Sequence, residues 1–461
     1  MTPSWTRAGA RPYPAPMQCR AGVRIAALVA VAACGGGGST PTPPDAAADA
    51  TTPDLDAGPS VSAAQVFDQT VVRRFELTIA PADWQWLQDH ARDEQYVAAE
   101  LRYGDVVRAR IGVRFKGSVG TLALCFDGQG QRTCPKLSMK LHFDEYVPGQ
   151  RFAGLGHLDF HAMIRDPSHM KERLGYGLFR AAGVVAPRSA HARLIVNGAD
   201  QGLFALVEQI DGEFTEDHFG LADDGEGNLY KEVWPVHATA EPYRAALETN
   251  RGATTSVDRM VRFAGALRTA TPATFRQVIA SWTDLPTLVS YLAVDRLIDS
   301  WDGIVAWYCP SNDPAGCSNH NFYWYEESGR DKVWLVPWDL DLTMQVPNPI
   351  RTQYAMPDWN ASPTDCAPRR VFLGFWGRPP ACDHLIGLMA QVLWPDYQAR
   401  TAALLAGPAS AATLEAEIAA METLLGPEVA TDGFGPGVAA WRQAVADLRA
   451  DLPRLRARVT P

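Results

Sequence analysis

Hydrophobic and polar residues alternate in short runs through the first half of this chain and recur at helical spacing through the second. Val71–Ile79 reads as a strand, followed by a helix opened by Pro81 around Trp84 and Leu87. Ala109–Phe115 alternates as a half-buried strand. Lys136–Phe143 alternates again, with Ser138, Lys140 and His142 on one face and Leu137, Met139, Leu141 and Phe143 on the other. The spacing predicts a helix from Asp166 to Gly183, capped by Ser168, ended by Gly183 and buried through Leu174, Leu178 and Phe179. Ala190–Val196 and Gly202–Gln209 flank Asn197-Gly198, a strong hairpin signal, and Asn228–Lys231 forms a further short strand. Helices are then expected over Tyr243–Glu248, Thr255–Arg268, Pro272–Trp282 and Leu285–Ser300, with Leu414–Leu425 and Val438–Arg456 the clearest near the end. Strands first and helices later predict an α+β body of two lobes.

The first residues follow a different pattern. From Met1 to Pro44 there are arginines and no acidic residue, and Arg20 and Arg24 precede the short apolar run Ile25–Ala33. A basic segment, an apolar run too short to span a bilayer and a small-residue cleavage site describe a signal peptide over residues 1–33, with Met17 an alternative start. Val31-Ala32-Ala33-Cys34 is similar to a bacterial lipobox, which makes Cys34 the expected lipidation site and the membrane anchor. A plain secretory signal with an incidental Cys34 is the alternative. Residues 35–62, rich in Gly, Pro, Thr and Ala, read as a disordered linker. The body is then 63–461, with an N-lobe over about 63–211 and a C-lobe over about 212–461. The expected address is the bacterial envelope, at the outer membrane or cell surface.

Charge and cysteines narrow the picture. The 461 residues carry 42 basic against 52 acidic side chains, a net charge of −10 that argues against a nucleic-acid partner. Apart from Cys19 and Cys34, six of the eight cysteines remain, and they form local couples: Cys125 with Cys134, Cys309 with Cys317, and Cys366 with Cys382. Zinc-type Cys-x-x-Cys spacing is absent, so loop-stapling disulfides in an oxidising compartment are the favoured reading, although six cysteines allow 15 pairings.

The stretch from Leu297 to Met344 carries the candidate chemistry. Asp299 and Asp302 precede a cysteine-bounded loop; Asn321 follows, then an aromatic hairpin, then Asp339-Leu340-Asp341. Protein kinases order their catalytic end as a carboxylate near the acceptor hydroxyl, an amide on one metal ion and an acid on metal and phosphates. These hard oxygen donors suit Mg²⁺ or Mn²⁺. Asp and Asn also close turns at strand ends, so spacing alone leaves both readings open. Lys140 on its strand fits a phosphate-gripping lysine, and equally a solvated edge lysine. Glu172 fits either that lysine's partner or a helix-dipole acid.

Several motifs in one order resemble the CotH kinase family, named for a spore coat protein. They are Arg114-x-Lys116-Gly117, Lys136-x-Ser138-x-Lys140-x-x-Phe143, Asp166-x-Ser168-x-x-x-Glu172-x-Leu174, and Asn197-Gly198-x-x-x-Gly202 running on to Glu208-Gln209-Ile210-Asp211. Asn228–Lys231, Asp302-Gly303, His320-Asn321-Phe322-Tyr323 and Pro337-Trp338-Asp339-Leu340-Asp341 complete the series. The resemblance implies a two-lobed atypical protein-kinase-like fold, with ATP and Mg²⁺ or Mn²⁺ as cofactors and hydroxyls of surface or envelope proteins as acceptors. It implies Lys140 on the phosphates, paired to Glu172, with Lys136, Arg114 and Lys116 as further positive charge. Glu208 and Gln209 would border the adenine through their backbone. Asp302 would be the catalytic carboxylate, with Asp299 in reserve, and Asn321, Asp339 and Asp341 would hold metal. A catalytically inactive surface lipoprotein on the same frame is the alternative, and a metal-dependent hydrolase using Asp339 and Asp341 ranks below both. The expectation turns on Ile304–Asn319, which separates Asp302 from Asn321 far beyond the kinase spacing. If Cys309 and Cys317 staple it, the chain can return to where it left.

Overall fold

The computed structural model describes residues 61–117, 122–223, 225–327, 329–345, 359–360, 365–370 and 376–459. The expected signal peptide, Cys34 and nearly all of the linker lie outside the described residues. Among the described residues no helix is long and apolar enough to cross a membrane.

The first lobe opens with α1 (Ala63–Val66), closed by a capping box between Ser62 and Gln65. It continues through β1 (Arg73–Ile79), α2 (Pro81–Asp89), β2 (Val97–Tyr103), β3 (Val106–Phe115), β4 (Met139–His142), β5 (His157–His161), α3 (Lys171–Ala181), β6 (Ser189–Val196) and β7 (Ala199–Val207). The seven strands close into a barrel in the order β1-β2-β3-β4-β5-β7-β6. Only the β1–β6 seam is parallel. Phe75, Leu101, Ile111, Val113, Leu141, Leu158, Phe160 and Leu194 are fully buried in its core. Because side chains alternate across a strand, the same pleat turns Arg114, Lys140 and Asp159 to the opposite face. There they lie in register, Arg114 beside Lys140 and Lys140 beside Asp159. The β6–β7 turn places Asn197 and Gly198 at φ of 51° and 78°, the left-handed pair an Asn-Gly hairpin needs.

The second lobe contains α4 (Gly212–Asp223), β8 (Asn228–Lys231), α5 (Glu241–Ala245), α6 (Asp258–Thr269), α7 (Phe275–Trp282), α8 (Leu285–Leu297), β9 (Trp307–Cys309), β10 (Phe322–Glu327), β11 (Lys332–Pro337), β12 (Arg369–Arg370), β13 (Trp376–Arg378), α9 (His384–Val392), α10 (Trp394–Ala406), α11 (Ala411–Thr431) and α12 (Val438–Val459). Two small sheets, β11-β10-β8 and β12-β13-β9, stand among the helices. The fold is thus α+β in two lobes, strand-rich then helix-rich. Disulfides join Cys125 to Cys134, Cys309 to Cys317 and Cys366 to Cys382. Such bonds point to folding in an extracytoplasmic, oxidising compartment.

Helix α3 links the lobes: it follows the barrel strand β5, yet Leu174, Tyr176, Leu178 and Phe179 pack into the helical core, with Phe179 5.0 Å from Tyr291 of α8. Its N-terminal cap differs from expectation. The Asp166 carboxylate accepts from the amides of Met170 and Lys171 at 2.8 and 2.9 Å and from the Ser168 hydroxyl, while Ser168 Oγ takes only a longer bond from the Met170 amide, at 3.3 Å. A carboxylate is the stronger acceptor and complements the helix dipole. Gly183, at φ 75°, ends the helix as expected.

Candidate functional site

The segment after α8 brings the acid and amide together. The disulfide Cys309–Cys317 spans the base of the insertion. Tyr308 and Ser318 exchange both backbone hydrogen bonds, at 2.9 and 2.8 Å, and Asn319 donates to the Ile304 carbonyl at 2.8 Å. The excursion therefore closes on itself, and Asn321 Nδ2 donates to Asp302 Oδ2 at 2.9 Å. Beyond it, β10 and β11 pair so that Phe322 faces Pro337. Asn321 and Asp339 consequently flank the open end of one hairpin, with the Trp338 amide donating to the Asn321 carbonyl at 3.0 Å. Both residues sit in the left-handed region, at φ 60° and 51°, which Asn and Asp tolerate best among residues with a side chain. Glu232, next to β8, accepts from the Asn321 amide at 3.0 Å, and the Asp339 amide donates to the Tyr176 hydroxyl of α3 at 3.0 Å.

Burial and like charge shape the electrostatics. Burial, then neighbouring Asp339, pushes the Asp302 carboxyl up to about 7 against the Asn321 hydrogen bond. Packing around Asp339, then Glu172, raises its carboxyl, although the residue keeps an exposed face. Burial, Asp339 and Glu172 hold Asp341 well above the carboxylate range. Glu172 is buried, Asp302 and Asp341 are half-buried and Asp339 is exposed; the Asp339 charge disfavours ionisation of both Asp302 and Asp341.

The barrel supplies the opposing charge. Lys116, which extends β3, donates to Asp159 Oδ2 at 2.7 Å and lies 3.1 Å from His161 Nε2; His161 Nδ1 lies 2.8 Å from Glu172 Oε1. The Lys116 ammonium also stands 5.0 Å over the Trp338 ring. Burial acts to raise Asp159, but Lys116, then Lys140, bring it down to about 2. Further along the same face Lys140 donates to Gln209 Oε1 at 3.0 Å, and burial lowers its pKa. Beyond it His157 Nδ1 lies 2.7 Å from Asp211, whose carboxyl burial raises to about 7. A polar row therefore runs from Asp339 through Glu172, His161, Lys116, Asp159 and Lys140 to Gln209 and Asp211.

Several expected residues fall elsewhere. Among the described residues no ion pair joins Lys140 to Glu172: Gln209 takes the lysine and His161 takes the acid. Lys136 points away from the row. The strand begins only at Met139, so alternation does not reach Lys136, which donates to the Leu203 carbonyl and pairs with Asp432 at 3.3 Å. Arg114 pairs with Glu94 at 3.3 Å and stacks over Tyr96. The Glu208 carboxylate is taken by Arg188 and His218, and its backbone amide by the Arg188 carbonyl at 2.9 Å. Asp299 is held between Arg296 and Arg458, each at 3.2 Å. The residues not anticipated, Asp159, His161, Tyr176, Glu232 and Trp338, include two on β5, a strand whose alternation His157-Leu158-Asp159-Phe160-His161 is plain in the sequence.

Carboxylate and amide oxygens are the donor type that a hard divalent cation takes. Glu172 Oε2 and Asp159 Oδ1 are buried without a hydrogen-bond partner, and an unsatisfied carboxylate oxygen is a group that a hard cation relieves. Among the described residues, the groups that bring three acid or imidazole ligand atoms within 4.8 Å of one another are His157/Asp211/Glu213 and Glu208/Asp217/His218, and not the acids around Asp339. Each is crossed by an arginine, Arg151 on Glu213 at 2.5 Å and Arg188 on Asp217 at 2.8 Å.

A barrel carrying basic residues, set against a helical lobe carrying an acid-amide-acid cluster, defines a protein-kinase-like body. The chain belongs to the CotH kinase protein family, whose model matches residues 113–449. It is also similar to the inner spore coat protein H of Bacillus subtilis, 20% identical over 284 residues, which cover 60% of this chain and 70% of that protein.

Proposed function

We propose that this protein is an atypical, metal-dependent kinase of the bacterial envelope, held by a lipid on Cys34, that transfers the γ-phosphoryl group of ATP to hydroxyls of envelope or surface proteins. The observation that carries this reading is the convergence of Asp302, Asn321 and Asp339, separated in the chain by a stapled loop and a hairpin, in one cluster that opens to solvent at Asp339. Phosphoryl transfer asks a protein chiefly to position its reactants and offset charge. Asp302, raised to about 7, is matched to accept the proton of an acceptor hydroxyl near neutral pH. The Asn321 amide fixes that carboxylate through its NH₂ and leaves its oxygen as a ligand. Asp339, Asp341 and the Asn321 oxygen are the residues that would hold Mg²⁺ or Mn²⁺, which when bound offsets charge on the phosphate oxygens. Lys116 and Lys140 present two ammonium groups to the polyphosphate, and Gln209 marks the end of the row where the base would lie.

Equilibrium binding of ATP to the full chain, with Mn²⁺ and with EDTA, tests this reading. Metal-dependent binding that Asp339→Ala abolishes supports it; no binding with metal present contradicts it.

A further inference from the structure

The kinase reading requires that the barrel lysine be held on the phosphates, and among the described residues no ion pair joins Lys116 to Glu172 directly. An imidazole stands between them. His161 Nε2 lies 3.1 Å from Lys116 Nζ, and His161 Nδ1 lies 2.8 Å from Glu172 Oε1. An ammonium only donates and a carboxylate only accepts, so the two partners dictate the tautomer: Nε2 accepts from Lys116, and Nδ1–H donates to Glu172. The ring is held from a third side by Trp338, edge to face at 5.6 Å and 87°. The same indole lies under the Lys116 ammonium and immediately precedes Asp339.

We propose that His161 is a positioning residue that couples Lys116 to Glu172, so that helix α3 sets the phosphate-binding ammonium through an imidazole in place of a direct ion pair. His161 and Lys116 come from the barrel, Glu172 from the helix that packs into the second lobe, and Trp338 from the segment leading into Asp339. The bridge therefore registers the barrel lysine against the metal-binding acid across the lobe boundary. Lys140, bonded to Gln209, is left for the base-proximal end of the nucleotide. The inference rests on the kinase reading and assigns Lys116, over Lys140, as the lysine coupled to Glu172.

Two substitutions of His161 in the full chain separate a bridge from mere packing. His161→Phe keeps a ring against Trp338 and removes both bonds. His161→Gln gives up the ring but keeps one acceptor for Lys116 and one donor for Glu172. For both variants, KM for Mn²⁺-ATP, kcat and the melting temperature are measured. The bridge predicts that His161→Phe lowers kcat/KM about 10–100-fold, the scale on which partners behind a binding group act. The melting temperature should stay near that of the wild type, and His161→Gln should recover the larger part of the loss. Wild-type kinetics in His161→Phe, or equal losses in both variants, would overturn the bridge while leaving the kinase reading intact. If the wild type binds no nucleotide, the kinase reading fails, and the role of His161 falls with it.

Discussion

Gly303 shows how closely the residues around Asp302 are fitted. A Cβ there would meet Asp295 Oδ1 and Ser300 Oγ, each at 2.5 Å. Neither can easily retreat: Asp295 is buried, its carboxyl raised to about 7 by burial, and Ser300 is buried beside it. Gly303→Ala should therefore lower stability by about 1–3 kcal/mol, the usual range for forced overpacking, as read from denaturant midpoints. It should also displace the adjoining Asp302 and reduce phosphoryl transfer. Unchanged stability and activity would mean that the Asp302 turn is looser than described. His161 is the other residue on which the account depends. Its place on an alternating strand is readable from sequence, but its partners lie 45 residues before it and 11 after it, and no local pattern encodes that meeting.

Elements place these residues. The hairpin β10–β11 sets Asn321 opposite Trp338, and α3 supports Asp339 from below through Tyr176 and through Gly175, whose virtual Cβ meets Leu340 Cδ1 at 2.8 Å. The strands, α3 and the Asn-Gly hairpin follow from periodicity and turn chemistry, which is why most element positions were legible in the sequence. The start of β4 was not. Alternation continues on paper through Lys136, but the burial of Lys136 against Phe204 and Asp432 is a tertiary choice. Whether Asp302 meets Asn321 was likewise hidden, because it depends on a loop returning to its origin. The Cys309–Cys317 bond spans eight residues of sequence. Replacing both cysteines by serine should cost about 2–3 kcal/mol in the chain-entropy view of a short loop. Phosphoryl transfer should fall further than stability alone explains, as the Asp302–Asn321 hydrogen bond loosens. Denaturant titration beside an activity assay checks both.

At the scale of the whole molecule, the Lys136–Asp432 pair ties the barrel to the end of α11. Both side chains are buried, so Lys136→Met should destabilise by about 3–5 kcal/mol through an uncompensated carboxylate. Because Lys136 lies away from the polar row, the folded variant should keep the wild-type affinity for Mn²⁺-ATP; a specific loss of affinity would return Lys136 to the site. Stability should also depend on pH through His191. It is fully buried, and burial, then Arg173, lowers its pKa to about 3, below the ordinary 6.5. The native state therefore favours the neutral ring. That contribution is present above pH 6.5 and is lost as pH falls toward 3, by up to about 1.4 kcal/mol per pH unit. Urea midpoints at pH 7.5 and 4.5 should differ more for the wild type than for His191→Gln.

On the proposed reading the two lobes together form a working phosphotransfer site. The most direct measurement is transfer of label from γ-labelled ATP by the purified full chain, to itself and to envelope protein, with and without Mn²⁺ or Mg²⁺. Asp302→Ala and Asp339→Ala are run alongside. A phosphotransfer site of this kind should give metal-dependent incorporation on hydroxyl side chains, which both substitutions abolish. Incorporation that survives both, or none by a wild type that binds Mn²⁺-ATP, would contradict it and leave a kinase-shaped binding protein.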